Sequence, residues 1–370
     1  KELKKKWPNK PVDKEHLILS MEKFNYDQNN AIRIISRGLM VSNKRLGFAG
    51  MKDKRAITVQ KISLWNPDIE KVKNFRSRYI DLRDAQWSNK RIELGDLQGN
   101  AFEIAIRGID AQKKDLEKTI KECFKQMKNG IPNFFGNQRF GGIRQITHLV
   151  GKEFMKADFE KGVMLYLTAT NDKEEQQVRT ARQNLAQTKD FSAASNEFPA
   201  KYRFERSMIH HLCKYPKDFV GAFGKLPRHL RYMFVHAVQS HIFNRIIEER
   251  LKQGFGLKKI DGDTIQENEV LIPLFGFESS ISSGKAGEIE QKILHEENIT
   301  LNEFRVKQMS EISSKGSAKK MVLLTKNLKL VKIDKDEENE GKLKAVVSFK
   351  LDKGNYATTV LQEIMKKEIL

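Results

Sequence analysis

The stretch GFAGMKDKRAITVQ, residues 47–60, sets one acid, Asp53, between Lys52 and Lys54 with Arg55 next, behind two glycines and ahead of a β-branched run. Neighbouring positive charge favours the ionised carboxylate, so Asp53 is expected to be an anion at neutral pH. Such a carboxylate can act as a nucleophile or as a base. The glycines let a planar substrate come close to the backbone, and Lys52, Lys54 and Arg55 attract phosphate. Together these groups suit an acid that works on RNA. Taken locally, the commoner meaning of such a run is a solvated loop with an incidental Lys-Asp-Lys.

Two further stretches carry polar and aromatic groups of the same kind. In NAFEIAIRGI the alternation puts Asn100, Phe102, Ile104 and Ile106 on one face of a strand. Phe102 reads locally as a core phenylalanine, although its place at the strand's entrance would let it stack on an extruded base. Asn100 has the donor and acceptor to read a uracil edge, or to close a turn. PNFFGNQRFGG, residues 132–142, offers aromatics, glycines and Arg139, either as an RNA-contacting loop or as a turn over a packed aromatic cluster. The histidines of HHLC (210–213) and HAVQSH (236–241) lack the spacing of a zinc site and read as helix-surface and packed core residues. No Walker loop or dinucleotide fingerprint is present. Neither a metal nor a small-molecule cofactor is expected.

These groups need elements to hold them. HLILSMEKF reads as a strand, and Asp27 caps a helix in which Ala31, Ile35 and Leu39 recur at helical spacing. Residues 47–55 form a loop, and AITVQKISL is a strand. Between Gln112 and Lys128, the residues Leu116, Ile120, Phe124 and Met127 make an apolar helical stripe, ended by Gly130 and Pro132. From about residue 150 the texture changes to polar helical stretches, which suggests a separate module. Within it, RYMFVHAVQSHIFNRIIEER carries Phe234, Val238, Ile242 and Ile246 on one stripe with Met233, Ala237 and Phe243 beside it, the wide face of a buried helix. DGDTIQENEVLIPLFG carries strand and turn signals, and DKDEENEGK, residues 334–342, reads as a solvated loop. The chain closes with a buried strand, a turn at Gly354 and a helix striped by Ala357, Val360, Leu361, Ile364 and Met365.

At 370 residues the chain is expected to hold two domains, or one with a large insertion. Its 68 Lys and Arg against 48 acids give a net charge of +20, which favours a nucleic-acid partner over a thermophile surface of balanced sign. Two cysteines, Cys123 and Cys213, cannot build a disulfide framework, no secretory leader is visible, and no apolar run is long enough to span a membrane. A reducing cytoplasm is the expected location.

On GFAGMKDKRAITVQ, GNAF and NFFGNQRFG, followed in order by HAVQSHIFN and GNYAT, the chain resembles the TruD family of pseudouridine synthases, which modify uridine in tRNA, classically uridine 13. The resemblance implies that Asp53 is the catalytic aspartate. It makes Phe102 the aromatic that packs against the target base and Asn100 the asparagine of the same motif. Tyr356 falls where the family places an aromatic, often phenylalanine, near the substrate. The family's N-terminal strand, bearing a lysine and a glutamate near the active site, has no counterpart before His16, so those roles stay unassigned.

The resemblance further implies an α+β fold. A pseudouridine synthase core, with a largely antiparallel mixed sheet flanked by helices, would comprise residues 1–149 and 324–370, interrupted by an inserted α/β domain at 150–323. tRNA would lie in the cleft between them. The implied reaction is a cofactor-free isomerisation in which Asp53 attacks ribose C1′, attacks the base at C6, or removes the 2′ proton to give a glycal. The alternative is a non-catalytic RNA-binding protein with the same basic cleft.

Overall fold

The computed structural model describes residues 7–366. The chain folds as two compact units, Lys1–Asn100 and Ala101–Leu370, whose boundary falls inside the strand Gly99–Ile109.

The first unit is built on a four-stranded antiparallel sheet in the order Leu46–Phe48, Ile57–Trp65, His16–Phe24, Ile80–Ser88. Alternation turns Leu17, Leu19 and Met21 inward, where they join Ile62, Leu64, Leu82 and Trp87. The helix Gln28–Gly38 lays Ala31, Ile32 and Ile35 into the same core, and Asp27 Oδ1 caps it by accepting from Asn30 N at 3.0 Å. The expected 47–55 loop is shorter than the sequence suggests, because Leu46–Phe48 pairs as an edge strand with Ile62–Leu64.

In the second unit, the strands Gly99–Ile109, Lys326–Lys335 and Leu343–Asp352 form a sheet covered by the helices Lys113–Met127 and Ala357–Met365. Its core joins Phe102, Ile104, Ile106, Phe124, Phe349 and Val360. The acidic stretch 334–342 is not the plain solvated loop that its composition suggests. Its Asp336 side chain is fully buried in a hairpin, where it accepts from Arg107 at 2.7 Å, Gly108 N at 2.8 Å and Asn339 at 2.8 Å. Burial alone would raise this carboxyl's pKa, but those donors hold it well below the usual range. Charge counting missed it because one acid in the run turns inward.

The remainder of this unit is a helical body around the helix Arg228–Lys252, with a small antiparallel sheet of Thr264–Gln266, Glu269–Leu274 and Ser317–Lys320. Phe234, Ala237, Val238, Ile242, Phe243 and Ile246 are buried as their spacing predicts, whereas Met233 is partly exposed at the edge of the stripe. Among the described residues no helix is long and apolar enough to cross a membrane. His211 pairs with Asp218, and His241 stacks on His148 and bonds Glu297.

Candidate active site

The first unit clamps the backbone of the Asp53 loop and leaves its carboxylate open. Lys23 follows Met21 in the inward phase of the His16–Phe24 strand, so its side chain is wholly buried. Its ammonium donates to the main-chain carbonyl of Asp53 at 2.5 Å. Burial lowers the Lys23 pKa, the charges of Asp53 and Asp27 oppose that shift, and Lys52 adds to it. The loop is pinned beyond the acid where Asn25 N donates to Ala56 O at 3.0 Å, and before it where Gly95 N donates to Ala49 O at 3.0 Å. The Asp53 side chain is exposed, and among the described residues its carboxylate accepts no hydrogen bond and joins no ion pair.

Lys52 is half-buried and donates to Asn100 Oδ1. Burial lowers its pKa while Asp53 raises it. The bond fixes the Asn100 carboxamide and leaves its amide N–H groups without a partner among the described residues, available to a carbonyl acceptor. Lys54 and Arg55 are exposed. The two glycines play different parts. A Cβ on Gly47 would lie 2.4 Å from Ile92 O and 2.5 Å from Ser63 Oγ, so this position is closed by packing, whereas Gly50 faces open space.

In the second unit, Phe102 lies against Phe349 at 5.4 Å between ring centroids and remains half-buried. Tyr356 and Arg139 come together elsewhere in the unit, around Phe135. The Tyr356 ring, 41% exposed, is 6.5 Å from the Phe135 ring, and the Arg139 guanidinium lies 5.1 Å from its centroid. The 133–142 stretch is therefore both a packed aromatic cluster and a presenter of Arg139. Asn244, in the central helix, grips both backbone groups of Phe135, accepting from its N–H and donating to its carbonyl, each at 2.9 Å.

Three contributors were not singled out from the sequence. Lys23 had a usable signal, a lysine in the apolar phase of an alternating strand. Asn244 had a fainter one, an amide among the apolar residues of HAVQSHIFN. Lys319, whose ammonium lies 4.3 Å from the Phe135 centroid, had none, because its strand SAKK is short and polar.

Comparison with known proteins defines the class. The model of the family described as tRNA pseudouridine synthase D (TruD) matches residues 1–270 and 266–364. A probable tRNA pseudouridine synthase D of Methanococcoides burtonii is 39% identical over 390 residues, covering 96% of this chain and 88% of its own length. A protein so described in Methanopyrus kandleri is 35% identical, covering 95% of this chain and 86% of its own. The crystal structure of a putative TruD from Methanosarcina mazei superposes with a TM-score of 0.85 at 35% identity, over 96% of this chain and 89% of that one. The chain belongs to the TruD family of tRNA pseudouridine synthases. The family resemblance carried by the motifs is borne out, as is the α+β class with antiparallel sheets.

Proposed function

We propose that this chain converts uridine in tRNA to pseudouridine, at uridine 13, with Asp53 as the catalytic carboxylate. The N1–C1′ bond breaks, the base turns, and the C5=C6 electron pair forms the C5–C1′ bond. The proton lost from C5 is balanced by the one gained at N1, so the isomerisation needs no added reactant. The observation that carries this reading is the Asp53 loop, whose main chain is held by a buried ammonium while its carboxylate stays unengaged. A nucleophile or base held in this way meets substrate without first breaking a salt bridge.

In the same reading Asn100 donates to a uracil carbonyl, and Phe102 and Tyr356 offset the cost of unstacking, a few kcal/mol, by stacking on the extruded base or its neighbour. Lys54, Arg55 and Arg139 meet phosphates, and Lys52 holds Asn100 while adding positive charge. The core comprises 1–149 and 324–370 around an insertion at 150–323, and a tRNA-directed activity favours a cytoplasmic location.

The test is incubation of purified protein with unmodified tRNA, without cofactor, followed by mapping of pseudouridine. Product is expected at one position, and Asp53→Asn should abolish it while leaving tRNA affinity within about threefold, because an exposed side chain adds little to binding or folding. Binding without product in the wild type would instead identify a non-catalytic RNA-binding protein.

A further inference from the structure

Several buried or half-buried cations in the Ala101–Leu370 unit pair with carboxylates. Arg182 meets Glu174 and Glu205, Arg250 meets Asp263, and Lys152 meets Glu297. This is the usual outcome, since a desolvated charge without a counter-charge costs several kcal/mol. Arg139 and Lys319 depart from it. Both lie over the Phe135 ring, at 5.1 Å and 4.3 Å from its centroid, and among the described residues neither forms an ion pair. Among the described residues, Arg139 Nε is buried with no hydrogen-bond partner, and Lys319 Nζ donates to one acceptor, the Asn133 carbonyl, at 2.6 Å. Two like charges thus lie over one ring with no carboxylate paired to either among the described residues.

We infer that Arg139 and Lys319 form a seat for one backbone phosphate of the RNA. This deepens the function proposed above and rests on it. A guanidinium fork and an ammonium together match the oxygens of a phosphodiester, and the net charge of +20 fits a polyanionic partner. Tyr356, exposed beside Phe135, offers a ring on which a base flanking that phosphate stacks. The loop that carries Arg139 is already fixed by Asn244 and by Thr359 Oγ1, which donates to Phe134 O at 3.1 Å. The seat therefore exists before RNA arrives.

The seat has a proton signature. Burial first, and then the charge of Arg139, bring the Lys319 pKa down to about 7. Arg139 is the charged group that acts on Lys319. His236, an exposed residue of the central helix rather than the packed core histidine expected from the sequence, is likewise pushed down, first by partial desolvation and then by Arg139. A phosphate placed between them restores the ordinary lysine value, and binding near pH 7 takes up a proton.

The experiment measures binding of an unmodified tRNA transcript across a KCl series, together with proton uptake by calorimetry in buffers of different ionisation heat, and pseudouridine formation on the same samples. Lys319→Gln is expected to weaken binding about fivefold to tenfold and to lower the slope of log Kd against log [KCl] by about 0.7 to 0.9, one phosphate contact. It should also remove an uptake of roughly half a proton at pH 7. Arg139→Gln should lower the slope by the same amount, and Lys319→Arg should preserve it. Unchanged slope in the folded Gln variants overturns the seat, and Arg139→Gln decides alone if Lys319→Gln does not fold. A wild type that forms no pseudouridine yet shows these slope changes refutes the proposed function but keeps the seat. A wild type that forms pseudouridine without them does the reverse.

Discussion

The ammonium of Lys23 lies beneath Asp53 and bonds its main-chain carbonyl, so the position of the proposed catalytic acid is set by a charge with no access to water. Lys23→Met keeps the length of the chain and deletes the donor. The expected result is a loss of about 10²-fold in single-turnover rate, the scale associated with a misplacement of about 1 Å. Melting should change little, because the lost charged hydrogen bond, about 1.5–3 kcal/mol, is offset by relief of the buried charge. A rate within threefold of wild type would remove the clamp from the account.

Lys52 and Asn100 should act as a unit. In a double-mutant cycle of Lys52→Met and Asn100→Ala read on the single-turnover rate, a coupling of about 1–2 kcal/mol is expected, because either change frees the other side chain. Additive effects would show that their bond does not orient Asn100 for the base.

The two loop glycines make a paired stability test. Gly47→Ala brings a Cβ against the Ile92 carbonyl, a backbone atom that cannot swing aside, and should destabilise by about 2–3 kcal/mol. Gly50→Ala meets nothing within 4 Å and should stay within about 0.5 kcal/mol. Urea denaturation of both variants checks the contrast, and equal effects would contradict the packing described.

His148 gives the second unit a pH-dependent stability. Burial, then the neighbouring His241, lowers its pKa from 6.5 to about 4. The folded state thus binds this proton less readily than the unfolded chain. Stability is complete above pH 6.5 and is lost as pH falls from there towards 4. Glu297 adds little pH dependence at pH 5 and above, because its own stabilisation is lost only as pH falls from about 4.5 towards 2. Burial alone would raise it, but hydrogen bonds from His241 and Lys152 hold it at about 2, so it stays ionised at pH 5. Allowing for solvent screening, wild type should lose about 1–2 kcal/mol more than His148→Phe between pH 7.5 and pH 5, a difference of about 2–4 °C in Tm. Parallel melting curves for the two proteins would refute this.

Periodicity carried most of the fold. The strand at HLILSMEKF, the alternation after Gly99 and the stripe of the long helix are each properties of neighbouring residues, and each is realised. What escaped depended on tertiary partners. Asp336 looked like one solvated acid among several until Arg107, more than two hundred residues away, closed on it. Leu46–Phe48 is too short to announce a strand without Ile62–Leu64 beside it. The candidate site divides in the same way. Asp53 and Arg139 stood out through their charged neighbours and their motifs, whereas Lys319 gains its character from Phe135 and Phe243, rings that no local pattern links to it.

Asn244 takes both hydrogen bonds of the Phe135 peptide groups from the middle of a 25-residue helix. The 133–142 segment thus inherits the stiffness of that helix and works as a rigid template. In the proposed phosphate seat, RNA docking would forgo the ordering entropy of a free loop, about 1–2 kcal/mol per residue fixed. Recognition by this unit should accordingly be of lock-and-key character, fast to form and intolerant of a reshaped tRNA.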